Sequence, residues 1–144
     1  MKKLSVFFAA AVFALAGLSQ ANPDVTETSV TLPDGLGSAT IYANKELKSA
    51  SAGVIVVHEW WGLNQYAKDR AKMLAEEGYT AVAVDMYGHG KVADHPNDAK
   101  GFMEAALADP GKVSARFNAA KDILKQQEHV DPERVYAIDR KSVV

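Results

Sequence analysis

A chain of 144 residues that is 48% hydrophobic and 24% charged has room for one globular domain with a real core, and is short for an α/β enzyme. Its 16 basic and 18 acidic side chains give a net charge of −2 and form no basic patch of the kind that follows a phosphate backbone, which argues against nucleic acid as a partner. With no cysteine, the chain has neither a disulfide nor a thiolate to act as nucleophile or metal ligand.

Lys2 and Lys3, an apolar run over residues 4–18, and Ser19-Gln20-Ala21 follow the order of the charged, apolar and cleavage regions of a secretory signal. The run is shorter than the roughly 20 residues needed to cross a bilayer. A cleaved signal over residues 1–21 is therefore expected, rather than a stable membrane anchor. The cut would follow Ala21, the mature domain would span 22–144, and the protein would be exported to the periplasm or the medium. Removing Lys2 and Lys3 from the 16 basic residues leaves 14 against 18 acidic.

Between residues 22 and 48, Val25, Val30, Leu32, Ala39, Ile41 and Ala43 alternate with polar residues around the turn Pro33-Asp34-Gly35, which predicts an antiparallel strand pair. A small-residue loop over 48–53 leads to Val54-Ile55-Val56-Val57, whose lack of polar alternation marks a strand covered on both faces. His58-Glu59-Trp60-Trp61-Gly62 comes next, a charged and aromatic elbow at the carboxyl end of that strand, where open α/β sheets bind ligands. Asn64 can cap a helix carrying Ala67, Ala71, Leu74 and Ala75 on one face, and Gly78 sits where a left-handed C-terminal residue belongs. A second buried strand over 79–84 ends at Asp85. Two apolar strands joined by one helix form a right-handed crossover with parallel strands.

A loop over 86–96 is expected to follow, then a short helix around Phe102, Met103, Ala106 and Leu107. A longer helix opens at Asp109-Pro110-Gly111 with Val113, Phe117, Ala120 and Leu124 as its apolar stripe, and should end near Glu128. Val130-Asp131-Pro132-Glu133 reads as a turn into a third strand over 134–138. The fold class is α/β: a mostly parallel sheet with flanking helices and an amino-terminal antiparallel strand pair.

Three stretches, Val-Val-His-Glu-Trp-Trp-Gly at 56–62, Ala-Val-Asp-Met-Tyr-Gly at 83–88 and Val-Asp-Pro-Glu-Arg-Val at 130–135, resemble the dienelactone hydrolases in order and spacing. These enzymes form a branch of the α/β-hydrolase fold that cleaves lactones and related esters with a cysteine nucleophile. The likeness covers roughly residues 53–138 and implies a partial α/β-hydrolase fold, a small-molecule lactone or ester substrate and no cofactor. It also implies that the backbone N–H of Trp60 is one oxyanion-hole donor, that Glu59 contacts the nucleophile, and that Tyr87 and His89 lie on the substrate side. Some family members carry arginine at the position of His89 to hold a substrate carboxylate. A histidine lacks arginine's permanent charge, which makes an acidic substrate less certain here.

The residues themselves allow plainer roles. A glutamate at a strand end is often a solvated carboxylate, Asp85 suits loop fixing or helix capping, and the two tryptophans divide into Trp60 lining a pocket and Trp61 partly in the core. His58 with Glu59, and His89 with His95, have the chemistry of zinc ligands but not the spacing of a closed site, so no metal is expected.

By the same resemblance, the third strand should run into a glycine-rich elbow whose third residue is the nucleophile. Asp139-Arg140-Lys141 stands there, with Lys141 at the nucleophile position. Ser142 falls one position late without a neighbouring glycine, His129 precedes the strand, and the family's triad Asp and His have no counterpart in the residues given. The motif stops within one residue of Ile138, as in a frameshifted or shortened reading frame or a natural short gene. Two functions follow as expectations: a hydrolase fragment lacking its Cys-His-Asp triad as written, or a non-catalytic binding or interaction protein that keeps the hydrolase cleft.

Overall fold

The computed structural model describes residues 23–139. The signal segment expected over 1–21, with its cut after Ala21, lies outside the described residues, as do Arg140, Lys141 and Ser142. Strands β1 (Val25–Leu32) and β2 (Gly37–Asn44) pair in antiparallel fashion around Pro33–Gly35, as their alternation predicts. β3 (Ser51–Val57) and β4 (Thr80–Val84) pair in parallel, joined by α1 (Gln65–Glu76). Helices α2 (Pro96–Leu107) and α3 (Pro110–Lys125) then lead to β5 (Val130–Ile138), parallel to β3 on its other side. The sheet order is β1-β2-β4-β3-β5, with β2 antiparallel to β4.

The apolar strands are buried on both faces, and their two faces differ in the size of their side chains. Ile55, Val57, Val82 and Val84 share one core with Val113, Ala120 and Leu124 of α3. Val56, Ala81 and Ala83 share the other with Ala71 and Ala75 of α1. Alanine facing alanine lets α1 lie close on the sheet, while Gly53 makes room on the opposite face for Leu124, whose side chain would stand 2.9–3.1 Å from a Cβ at that position.

Side-chain caps fix the starts of α1 and α3. The Asn64 side chain accepts from the Ala67 N–H at 3.2 Å, and the Asp109 side chain accepts from the Lys112 N–H at 3.0 Å. Gly78 ends the α1 turn at φ +93°.

Three expectations are corrected. α2 is a full 12 residues because Pro96, expected as the end of the preceding loop, instead starts the helix. α3 stops at Lys125 rather than near Glu128. The turn expected over 130–133 belongs to β5: the pairing jumps from Ser51 opposite Val130 to Gly53 opposite Val135, so the extra residues bulge, held by the Glu133 N–H on Asp131 Oδ1 and by an Arg134 to Asp131 ion pair at 2.8 Å.

Candidate active site

The carboxyl ends of β3, β4 and β5 meet at one edge, and each delivers part of the site. β3 ends in the elbow 58–62, β4 in the loop 85–93 and β5 in Asp139. The two loops are stitched together. The Met86 N–H donates to His58 Nε2 at 3.0 Å, the Tyr87 hydroxyl donates to the Trp60 carbonyl at 2.9 Å, and the Ala93 N–H donates to the Trp61 carbonyl at 2.9 Å. Gly62 faces Val92 across an isolated bridge, with φ +91° and the Lys91 carbonyl where a Cβ would stand, so only glycine fits there.

Asp85 fixes its loop, as its place at a strand end suggested. Fully buried, it accepts from the Tyr87 and Gly88 N–H groups on Oδ1 at 3.1 and 2.9 Å, and from the Gly90 N–H on Oδ2 at 2.8 Å. Those donors turn inward because Gly88, His89 and Gly90 all have positive φ, from +60° to +78°. His89 is the one residue of that run with a side chain to crowd its backbone, and it is exposed at the loop tip. From the other side Arg116, a buried residue of α3, donates to the Leu36 carbonyl at 2.7 Å and to the Met86 carbonyl at 2.9 Å. Its guanidinium lies against Gly88 so closely that a Cβ there would have to displace it from its two carbonyls. No motif marks Arg116 in the sequence, although its position three residues after Val113 puts it on the apolar face of α3.

His58 is 3% exposed, and its ring meets Tyr87 edge-on at 4.8 Å. Because Nε2 accepts a backbone N–H it carries no proton. Nδ1 is then the protonated nitrogen, and it donates to the Glu59 carbonyl at 2.6 Å. Burial holds the imidazole below its ordinary pKa, outweighing the nearby carboxylates, so the 3.9 Å approach to Asp85 is not an ion pair. Burial likewise pushes the Tyr87 phenol up, which keeps it a donor.

Glu59 is half-buried and lines a cleft of about 390 Å³ with His58, Asn64, Arg70, Ile138 and Asp139. Trp60 and Trp61 are both half-buried, with ring centroids 5.0 Å apart at 60°. The Trp60 N–H meets no acceptor among the described residues. Tyr87 and His89 line a second cavity of about 250 Å³ with Lys91, Phe102 and Arg116, so Glu59 lies in one hollow and Tyr87 and His89 in another that shares no lining residue with it, while Trp60, expected to line a pocket, lines neither. His89 and His95 stand apart from His58, and no group of three or more His, Asp or Glu side chains converges among the described residues. Nor is any helix among them long and apolar enough to cross a membrane.

A family model described as the dienelactone hydrolase family matches residues 39–138. "Protein usf" of Aquifex pyrophilus is 40% identical over 92 residues, covering 61% of this chain and 39% of that protein. Among solved structures, m3DLH superposes with a TM-score of 0.70 at 30% identity, covering 78% of this chain and 48% of its own. A dienelactone hydrolase-like promiscuous phosphotriesterase from metagenomic libraries gives 0.69 at 31% identity, with the same two coverages of 78% and 48%. The chain thus spans 39% of the Aquifex relative and about half of each of these structures.

Proposed function

The chain belongs to the dienelactone hydrolase family, and from that membership we propose that it carries the amino-terminal half of a site for hydrolysing ester or lactone bonds, silent as written for want of a nucleophile. The supporting observation is the elbow after β3. Its Trp60 N–H meets no acceptor among the described residues, and its backbone is pinned from the β4 loop through His58 and Tyr87.

In a complete site the nucleophile attacks the carbonyl carbon and the carbonyl oxygen becomes an oxyanion. The Trp60 N–H and the N–H after the nucleophile receive that charge, the leaving alcohol departs, and water releases the acyl group. A donor fixed before charge develops is worth about 2.7 to 4 kcal/mol of barrier. Glu59, in the same cleft as Asp139, would face the nucleophile. Tyr87 and His89 would lie on the substrate side. Lys141 at the nucleophile position supports no acyl-enzyme, so the chain as given should not hydrolyse aryl esters or lactones above buffer.

The test is to replace residues 139–144 with the elbow and carboxyl-terminal half of a full-length relative. Ester hydrolysis should appear, vanish when the introduced cysteine becomes alanine, and fall on Glu59→Gln with folding intact. A folded chimera without turnover would refute the reading.

A second reading is kept because a cleft of about 390 Å³ is already formed by the described residues: the chain binds a small ester or lactone without cleaving it. Saturable binding of a lactone by the chain as given, lost on filling the cleft with Ala67→Trp, is what this alternative requires. We propose export as well, on the strength of Lys2, Lys3 and the apolar run to Leu18. Amino-terminal sequencing of protein recovered outside the cytoplasm should begin at Asn22.

A further inference from the structure

We propose that His58 is the positioning residue of the oxyanion donor: its Nδ1–H draws the Glu59 carbonyl inward and so turns the Trp60 N–H outward, while its Nε2 ties that peptide to the β4 loop. The inference rests on the hydrolase reading only for the use to which the Trp60 N–H is put.

The geometry follows from the peptide plane. The Glu59 carbonyl and the Trp60 N–H belong to one trans peptide, so they point in opposite directions. The carbonyl is held by two donors, His58 Nδ1 at 2.6 Å and the Gly62 N–H at 3.1 Å. Two donors on one side commit the N–H to the other, away from the imidazole, where no described residue accepts from it. The arrangement needs one tautomer. Met86 supplies it, because an N–H aimed at Nε2 leaves the ring's proton on Nδ1. The ring is held in place by burial and by its edge contact with Tyr87, whose hydroxyl holds the Trp60 carbonyl, the next peptide along. Both peptides of Trp60 are thereby fixed from the β4 side. Asp85 and Arg116 act one step further out, by fixing the loop from which Met86 and Tyr87 reach.

The full 144-residue chain, labelled with ¹⁵N, tests this without any turnover. In the parent, the His58 ring nitrogens should report a protonated Nδ1 and a bare Nε2 at neutral pH. The reverse tautomer, or a charged ring, overturns the proposal, and this measurement needs no variant to fold. Two substitutions then separate the ring's two bonds. His58→Asn keeps an N–H donor near the place of Nδ1 but no acceptor where Nε2 stood, and His58→Gln can return an oxygen to Met86 while giving up the donor to Glu59.

The Trp60 N–H should keep a rigid order parameter near about 0.85 in the parent and in His58→Asn, and fall below about 0.6 in His58→Gln. Hydrogen exchange at Met86 should speed up tenfold or more in His58→Asn and little in His58→Gln. Equal loosening of Trp60 and Met86 in both variants would mean that His58 merely packs, and the proposal fails. If these signatures hold while the chimera stays inactive, the hydrolase reading fails and the positioning role stands.

Discussion

His58 and Arg116 are polar groups inside an otherwise apolar layer, and each persists because its hydrogen-bonding capacity is met by backbone. For His58 the consequence is a pH dependence. Burial holds its folded pKa below the ordinary 6.5, so the unfolded chain takes up the proton first. The stability contributed by the neutral ring is complete above pH 6.5 and is lost as pH falls through the folded value. The groups facing it are Glu59 beside it, Arg70 of α1, Asp85 and Tyr87 of the β4 loop, and Asp139 after β5. Urea midpoints of the parent should therefore fall more steeply below pH 6.5 than those of His58→Gln; parallel slopes would remove the ring from the account. Arg116→Leu strips donors from two carbonyls, and should cost about 2 to 3 kcal/mol by urea melt. It should also loosen the 85–90 loop in hydrogen exchange before the rest of the sheet.

At the level of elements, the regular parts were legible because periodicity and caps carry them. The unalternating 54–57 and 79–84 runs, Asn64 and Gly78 state the β3-α1-β4 unit directly in the residues. The misplaced boundaries share a physical cause. A proline reads equally as the last residue of a loop or the first of a helix, and Asp131-Pro132 reads equally as a turn or as a bulge inside a strand; tertiary pairing with β3 decides between them. Packing between α3 and the sheet was not legible, since nothing in the sequence says that Leu124 lies over Gly53. Gly53→Ala should cost about 1 to 3 kcal/mol by overpacking against the Leu124 side chain. Adding Leu124→Val should recover part of that loss. A purely additive double variant in thermal melts would mean that the helix shifts rather than the side chain yielding.

For the whole molecule, the stretches at 56–62 and 83–88 come together at one edge of the sheet, but the division of Glu59 and Tyr87 between different hollows was hidden, because it depends on where loops separated by 25 or more residues cross. β5 closes the described sheet with Tyr136 at 59% and Ile138 at 37% exposure, an edge of the kind that templates association. The chain as given should bind a hydrophobic dye and run partly as aggregates on size exclusion. Tyr136→Lys should shift it toward monomer without lowering the melting temperature; a monodisperse parent that binds no dye would contradict this. The place of β3 between β4 and β5 has a consequence for biosynthesis. β3 leaves the ribosome 73 residues before Val130, the start of its neighbour β5. At about 5 to 20 residues per second, roughly 4 to 15 seconds pass in which the most hydrophobic strand of the nascent chain has one side uncovered. A holdase that engages this protein during translation should therefore bind the β3 segment, and should let go only once β5 has emerged.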